Sequence, residues 1–405
     1  MNWVTSRLSL TEISGSFGDF GTLIPITIDM TKKNVLQPCV SFFWGGIANI
    51  IAGLYWDMPM PVQPMKTIAT VVSSGVITTP GSVATAGLLT GGCAFILGLF
   101  DVIKTITKYV PKSCIAIVQC VTGIGLAMNG FNLINNLNIW FGLDSYFTSI
   151  ICSLLILLQF ISVHPMCSKI PSALLLFIVG LVIALNKTTW EYNFVNPFSL
   201  IQITADDWKT GFIQGAIAQI PLTLLNSVIA IVDLSNHLFE DDIHAGIKYK
   251  MTTRSTTMSL GLVNIACIFG GIPTCHGSGG MAGQYKFGGR NGLSVVFLGI
   301  LKVCIGLAGG SFFSSLLYHF PNSILGILLF VCGTELTKYG LKYVKEDGFI
   351  VASGIAIGLA SKVWIGFLVG ILLHYMHFKE TRTEPKQIEC TNVLSQSQST
   401  PQVCY

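Results

Sequence analysis

Long runs of apolar residues recur along this sequence, and they restrict its fold more than any other feature. A helix of roughly 18 apolar residues or more spans the hydrocarbon core of a bilayer. Only 10% of the 405 residues are charged and 51% are hydrophobic, whereas soluble domains average about 25% charged residues. Because so few charges do not cover the surface of a water-soluble protein of this size, the sequence predicts an all-α integral membrane protein with many spans.

The apolar runs predict twelve membrane spans. They lie near 11–28, 36–54, 83–103, 113–133, 145–163, 170–186, 210–232, 256–272, 292–316, 321–337, 348–361 and 363–378. Two further segments, 62–76 and 277–290, are apolar or glycine-rich but too short and broken to span alone, so we expect half-helices there. Residues 379–405 are polar and rich in Ser and Gln, which predicts a disordered cytoplasmic tail.

The N-terminus and the cysteines carry no sign of secretion or of metal binding. The first 21 residues lack the basic region, apolar core and cleavage site of a signal peptide, so the first span is expected to remain in the mature chain. Most of the 12 cysteines lie inside apolar runs without CxxC spacing, which favours small core residues over ligands or disulfides. We expect no metal site and no cofactor.

The chain contains a weak internal repeat. Pro111-Lys-Ser and Pro321-Asn-Ser each open a span and are offset by 210 residues, while Pro61 and Pro273, in the two short segments, are offset by 212 residues. Two short interrupted segments at corresponding positions are typical of inverted-repeat transporters and mark their binding site. We therefore predict fourteen segments in two inverted seven-segment repeats, one covering 1–190 and the other 191–378.

The positive-inside rule supports this topology with both termini in the cytoplasm. Sixteen basic residues then fall inside and five outside, and Lys66 and Lys302 lie within the membrane, which accounts for all 23.

The first short segment, MPMPVQPMKTIATVVSSG from Met58, predicts an anion site. Its prolines exclude a helix before Pro64, and a helix starting there would begin part-way across the membrane. The N–H groups of its first turn and the positive end of its dipole attract anions, and Lys66 adds a full charge. Alternatively, the segment is a broken packing helix whose lysine reaches water. The candidate binding residues are Gln63, Pro64, Met65, Lys66 and Thr67.

The second short segment, GGIPTCHGSGGMAGQYKFGGRNG, predicts the opposite half of the same site. An extended stretch leads into a glycine-rich start of a second half-helix, where backbone approaches an anion closely. A tight re-entrant packing turn is the alternative. The candidate residues are His276, Gly277, Ser278, Gly279 and Gly280.

Polar residues in the longer spans complete the candidate site. Thr22 of GSFGDFGTLIPI, with Asn226 and Ser227 of QIPLTLLNSVIAIVDL, are expected to line it, although the last two, like Gln219, also suit helix–helix hydrogen bonds. Asp19 is a costly intramembrane carboxylate: it is a proton-coupling group, a salt-bridge partner of Lys66, or a structural cap. Asp233 and Glu335 are further candidates for proton coupling.

These segments resemble the molybdate transporter family of plants, algae, fungi and some prokaryotes, which is related to the sulphate permeases. The matching stretches are GSFGDFGTLIPI (15–26), PMPVQPMKTIA (59–69), LNSVIA (225–230) and PTCHGSGGMAGQYKFGGRNGLSVVFLG (273–299). The resemblance implies molybdate uptake across the plasma membrane or an internal, for example vacuolar, membrane. It also implies a core domain (segments one to four and eight to eleven) and a gate domain through which the protein could dimerise.

We therefore expect a secondary-active molybdate transporter. Sulphate or another oxyanion is the alternative substrate, since it shares the charge and shape of molybdate. An anion channel or sensor is the alternative class. An enzyme is not expected, because no nucleophile, base and orienting group converge, and neither is a nucleic-acid partner.

Overall fold

The computed structural model describes residues 6–73, 75–161, 170–188, 191, 193–240, 251–342 and 344–383, most of which are helical. The first half holds α1 (Leu10–Ser16), a 3-10 turn (Phe17–Asp19), α2 (Phe20–Lys32), α3 (Pro38–Trp56), β1 (Val62–Pro64), α4 (Lys66–Ser73), α5 (Pro80–Leu99), α6 (Val102–Thr107), α7 (Lys112–Asn135), α8 (Tyr146–Ile161) and α9 (Ser172–Leu185). The second half holds α10 (Ala205–Thr210), a π-helical segment (Gly211–Ala216), α11 (Ile217–Leu224), a second π-helical segment (Leu225–Ile229), α12 (Ala230–Leu238), α13 (Thr253–Val263), a 3-10 segment (Asn264–Phe269), β2 (Thr274–His276), α14 (Ser278–Lys286), α15 (Gly292–Ala308), α16 (Gly310–Tyr318), α17 (Asn322–Leu341), α18 (Val344–Ala360) and α19 (Val363–Thr383).

The helices are those of a multi-pass membrane protein. Among the described residues, α3, α5, α7 and α17 are long and apolar enough to cross a membrane singly, and two bent helix pairs raise the count to six. Shorter apolar helices occupy Tyr146–Gln159, Ser172–Leu185, Asp347–Ala360 and Val363–Met376. The apolar character agrees with the sequence, whereas the layout of twelve complete spans is not confirmed by helix length and composition.

The expected span 292–316 is two helices rather than one. α15 ends at Ala308, and α16 leaves it at an angle of 119°. Gly310 has a φ of 49°, in the left-handed region that a residue without a Cβ atom adopts at little cost. The sequence is apolar on both sides of this break, so hydropathy did not indicate it. The adjacent glycines, Gly309 and Gly310, permit the bend.

Two other boundaries differ from expectation. The disordered tail was expected from residue 379, but α19 continues to Thr383, and the rest, 384–405, lies outside the described residues. The first span, 11–28, is interrupted by the 3-10 turn at Phe17–Asp19. A Cβ atom on Gly18 would lie 2.7 Å from the carbonyl carbon of Gly283, so this glycine lets the turn approach α14 closely.

The two short segments cross each other as an antiparallel pair of strands. β1 pairs with β2 in the register Val62–His276, Gln63–Cys275 and Pro64–Thr274. Just beyond the pair, the Met65 N–H donates to the Pro273 carbonyl oxygen over 2.8 Å. The prolines exclude helix here, and helices α4 and α14 begin at once where the strands end. The crossing therefore fixes the starts of both half-helices next to each other inside the protein.

Glycines bring the longer helices into backbone contact. A Cβ atom on Gly46 of α3 would lie 2.6 Å from the Gly299 carbonyl oxygen of α15, and one on Gly299 would lie 2.7 Å from that of Gly46. Small residues at such contacts are typical of packing between membrane helices. The equivalent helix starts also match: Pro111 and Pro321 precede α7 and α17 with similar extended backbone angles.

Candidate functional site

Lys66 is the first residue of α4, and its ammonium group is enclosed by protein. The Nζ atom is shielded from solvent and has no hydrogen-bond partner within the described part of the chain. Pro64 and Met65 hold the backbone extended up to this residue. A buried charge without a partner is costly, which makes this ammonium group a candidate contact for a negatively charged ligand.

The first turn of α4 does not offer all the free N–H groups that the sequence predicted. The side-chain oxygen of Gln219 accepts hydrogen bonds from the N–H groups of Thr67 (2.9 Å) and Ile68 (3.3 Å). The amide nitrogen of Gln219 in turn donates to the Thr223 hydroxyl over 2.8 Å. The Gln219 side chain therefore caps the N-terminus of α4. What this half-helix contributes to the candidate site is mainly the ammonium group of Lys66.

The first turn of α14 is open by comparison. Gly277 is the N-cap residue, and the first intrahelical bond runs from the Met281 N–H to the Gly277 carbonyl oxygen. The N–H groups of Ser278, Gly279 and Gly280 come before that bond, so they have no acceptor within the helix, and the cap residue supplies no side-chain hydrogen bond to them. A Cβ atom on Gly279 would lie 3.9 Å from Lys66 Nζ. The positive end of α14 and the lysine thus face the same small volume.

The second π-helical segment supplies polar side chains beside this volume. Asn226 and Ser227 lie in it and are 4% and 1% exposed. The Asn226 side-chain oxygen accepts a hydrogen bond from the Ser278 hydroxyl over 2.5 Å. π-Helical turns inside α-helices are frequent at functional sites, and here the turn places Asn226 at the start of α14.

Asp19 reaches the site through Gln63. The carboxylate is fully buried at the end of the 3-10 turn. When the Gln63 amide is oriented to satisfy both neighbours, its nitrogen donates to Asp19 Oδ1 (2.9 Å) and its oxygen accepts from the Gly277 N–H (3.2 Å). Asp19 Oδ2 and Lys66 Nζ have no partner in the described residues. Among the described residues there is therefore no direct salt bridge between Asp19 and Lys66, which was one of the three alternatives for Asp19.

His276 lies on the far side of the crossing from the lysine. Its Nε2 atom lies 3.0 Å from the Ser259 hydroxyl, and its ring packs edge-on against Trp56 with centroids 4.9 Å apart. These contacts stabilise β2 against α3 and α13.

The other two intramembrane acids are paired. Glu335 forms ion pairs with Lys286 (3.2 Å) and Lys338 (3.3 Å). Asp233 accepts a hydrogen bond from the Gln119 amide over 3.2 Å. Glu335 thus holds its charge between two lysines, which makes it less suited to proton exchange, whereas Asp233, like Asp19, accepts from a side-chain amide.

Two cavities meet at Lys66. The larger, about 870 Å³, runs along α4, α7 and α11 to the α18–α19 connection at Lys362, and the smaller, about 340 Å³, lies between α2 and α7 and includes Thr22. Both are lined by Lys66, Thr70, Leu126 and Asn129. Lys66 therefore lines both cavities, while its Nζ atom is itself covered by protein.

The structure brings together most of the predicted site, and it adds residues that the sequence did not single out. Gln63, Lys66, Gly277, Ser278, Gly279 and Asn226 meet around the crossing. Leu126 and Asn129 of α7 were missed: nothing distinguishes Leu126 within an apolar span, whereas the polar side chain of Asn129 was a signal that could have been used. Lys302 was noted only as an intramembrane lysine. In the described residues no cluster of three or more His, Cys, Asp or Glu side chains is placed to hold a metal ion.

Comparisons with known proteins find relatives of this chain in sequence and in fold. A family model described as "Molybdate transporter of MFS superfamily" matches residues 11–126 and 211–336. Molybdate transporter 2 of Arabidopsis thaliana is 34% identical over 98% of this chain and 93% of its own length. The putative sulfate transporter YvdB of Bacillus subtilis (strain 168) is 22% identical over 90% of this chain and 72% of its own length. The solved structure of the murine Solute Carrier 26 family member A9 anion transporter, in its inward-facing state, has a TM-score of 0.61 at 14% identity, covering 94% of this chain and 70% of that one. That likeness shows a shared fold.

Proposed function

Because the chain belongs to the molybdate transporter family and carries molybdate across a membrane, we propose that the anion binds between Lys66 and the first turn of α14. One observation carries this proposal: the Lys66 ammonium is enclosed without a partner and lies beside the uncapped start of a helix.

The electrostatics of this volume suit a tetrahedral dianion. The start of an α-helix carries about half a positive charge, and free N–H groups there bind oxyanions readily. Lys66 adds a full charge on the opposite side. The Ser278 hydroxyl donates to the Asn226 side-chain oxygen and so fixes Asn226 beside this volume, with Ser227 next to it in the same π-helical segment. In this arrangement α14 supplies the backbone donors, while α4 supplies the lysine and is capped by Gln219.

Asp19 is the proposed proton-coupling group. Its carboxylate shares the Gln63 amide with the Gly277 N–H at the start of α14, so a proton on Asp19 alters the hydrogen bonds at the binding turn. With Asp19 charged, an arriving dianion adds to an existing negative charge nearby, and protonation removes that repulsion. The bound anion and the proton would therefore travel together.

The proposed layout is two inverted seven-segment repeats, residues 1–190 and 191–378, that form a core and a gate domain. Antiparallel pairing between β1 and β2 supports it, since a two-fold axis between equivalent segments produces that pairing. In the topology with both termini cytoplasmic, Lys362 lies outside, so the larger cavity opens outward. We propose the plasma membrane or an internal membrane as the location, and dimerisation through the gate domain.

A competition uptake assay tests the substrate. In cells without their own molybdate and sulphate systems, uptake of labelled molybdate is expected to persist in excess sulphate. Sulphate is the second candidate, because it offers the same charge and shape and because a putative sulfate transporter is related to this chain. Loss of molybdate uptake in equimolar sulphate would favour it. If uptake saturates with molybdate concentration and a membrane potential alone does not drive it, the protein is a carrier rather than a channel.

A further inference from the structure

Lys302 is a second buried lysine that the proposed binding site does not use. It lies in the middle of α15 and is 2% exposed. Its Nζ atom is 3.5 Å from the Val62 carbonyl oxygen in β1. A Cβ atom on Gly45 of α3 would lie 3.3 Å from the same Nζ, so the glycine leaves the space that the ammonium group occupies. A cation at this depth is costly unless it has a role.

The contacts of Lys302 converge on the strand that carries Gln63. The Val62 N–H donates to the Asn49 side-chain oxygen over 2.6 Å, and the Val62 carbonyl faces Lys302. Asn49 of α3 and Lys302 of α15 thus both contact β1 along the edge that faces away from β2. The next residue, Gln63, connects Asp19 to the Gly277 N–H.

Lys302 also shares an electrostatic partner with Lys66. Besides burial, the charges that act on the Asp19 carboxylate are those of Lys302 and then Lys66, and the charge that acts on Lys302 is that of Asp19. Two cations and one carboxylate therefore interact in this interior. Of the two lysines, Lys302 acts more strongly on the Asp19 carboxylate than Lys66 does.

We propose that Lys302 is a positioning residue: it holds β1 through Val62 and balances Asp19, which leaves the Lys66 ammonium available to the anion. This proposal rests on the proposed binding site at Lys66. Without Lys302, Lys66 is the only one of the two cations left to balance Asp19, and the site loses attraction for a dianion.

The test is a double-mutant cycle read as equilibrium binding of labelled molybdate to the purified full-length protein. Lys302→Met keeps a long side chain but removes the charge, and we expect its Kd to rise at least tenfold. Asp19→Asn alone completes the cycle and gives the effect of removing the carboxylate when Lys302 is present. Because the carboxylate would occupy Lys66 only when Lys302 is missing, Asp19→Asn is expected to raise affinity more in the Lys302→Met background than in the wild type, so that the Lys302→Met/Asp19→Asn protein regains most of the lost affinity. Lys104→Met, which removes a lysine whose side chain is 69% exposed, is the matched control and should bind as the wild type does.

Each outcome decides a separate point. An unchanged Kd in Lys302→Met, or a double variant no better than Lys302→Met, would overturn the role of Lys302 and leave the site at Lys66 standing. If Lys302→Met does not fold, recovery of a monodisperse, binding-competent double variant supports the charge balance, and failure of the double variant to recover contradicts it. Absence of molybdate binding by the wild type would instead refute the proposed function.

Discussion

The ammonium group of Lys66 lies 3.9 Å from the position that a Cβ atom on Gly279 would occupy. These residues are more than two hundred positions apart, and the antiparallel crossing of β1 and β2 brings them together. A full positive charge and the positive end of a half-helix thus face each other, and this relationship sets the expected behaviour of several variants.

Replacing Lys66 with Ala is expected to weaken molybdate binding far more than expression. It removes a charge-assisted contact worth about 1.5–3 kcal/mol, which corresponds to roughly ten- to a hundredfold in Kd. Lys66→Arg is also expected to impair binding, since the guanidinium is bulkier and presents a planar fork. Kd and surface expression are the measurements.

Lys362→Ala is the control for Lys66, because it removes a lysine that lines the same cavity at its far end, on the α18–α19 connection. An unchanged Kd in Lys66→Ala would place the anion elsewhere.

Gly280 is expected to tolerate no side chain. A Cβ atom there would lie 2.7 Å from Pro61 Cγ and 2.8 Å from Asp19 Oδ1, so alanine disturbs the crossing and valine should abolish uptake. At Gly279 the nearest atom is the flexible end of Leu126, at 2.5 Å, so alanine there should be milder. Ser278→Ala should also be mild, because it removes one hydroxyl and keeps the backbone donors.

Gly92→Ala is the matched control for these glycines, since a Cβ atom at this helical position would meet nothing within 4 Å. Initial uptake rates, corrected for surface expression, rank the variants. Normal transport by Gly280→Val together with failure of Ser278→Ala would show that side chains, rather than backbone N–H groups, hold the anion.

Gln219→Glu is expected to weaken both stability and affinity. A carboxylate in place of the amide still accepts from the Thr67 and Ile68 N–H groups, but it places a charge at a position that is 1% exposed and loses the hydrogen bond that the amide donates to Thr223. The same charge repels molybdate, so Tm should fall while Kd increases. Gln219→Ala, which loses the cap, should also lower stability, by about 0.5–2 kcal/mol. If Gln219→Glu binds molybdate with wild-type affinity, the anion does not bind next to the start of α4.

Asp19→Asn is expected to slow transport and flatten its dependence on pH. Asparagine keeps an oxygen that accepts from the Gln63 amide but does not exchange a proton. Uptake rates measured across a pH series test this, with Asp206→Asn, an exposed acid on α10, as the control. A pH profile identical to that of the wild type would assign Asp19 a structural role.

The sequence predicted the parts of the site that depend on local chemistry. The closely spaced prolines at 61 and 64, and Pro273 in the second short segment, disfavour helix there, and Lys66 stands out in an apolar run, so both half-helices were predictable. The cap at α4 was not, because Gln219 is 152 positions from Thr67 and any polar residue of the span 210–232 could have faced it. The 119° bend between α15 and α16 also escaped, since hydropathy averages over the two glycines that allow it.

Anomalous or electron-density mapping of the molybdate-bound protein tests the central claim most directly. We expect one strong peak within hydrogen-bonding distance of Lys66 Nζ and of the N–H groups at Gly279 and Gly280, and loss of that peak in Lys66→Ala. A molybdate peak that contacts neither Lys66 nor the first turn of α14 would contradict that claim.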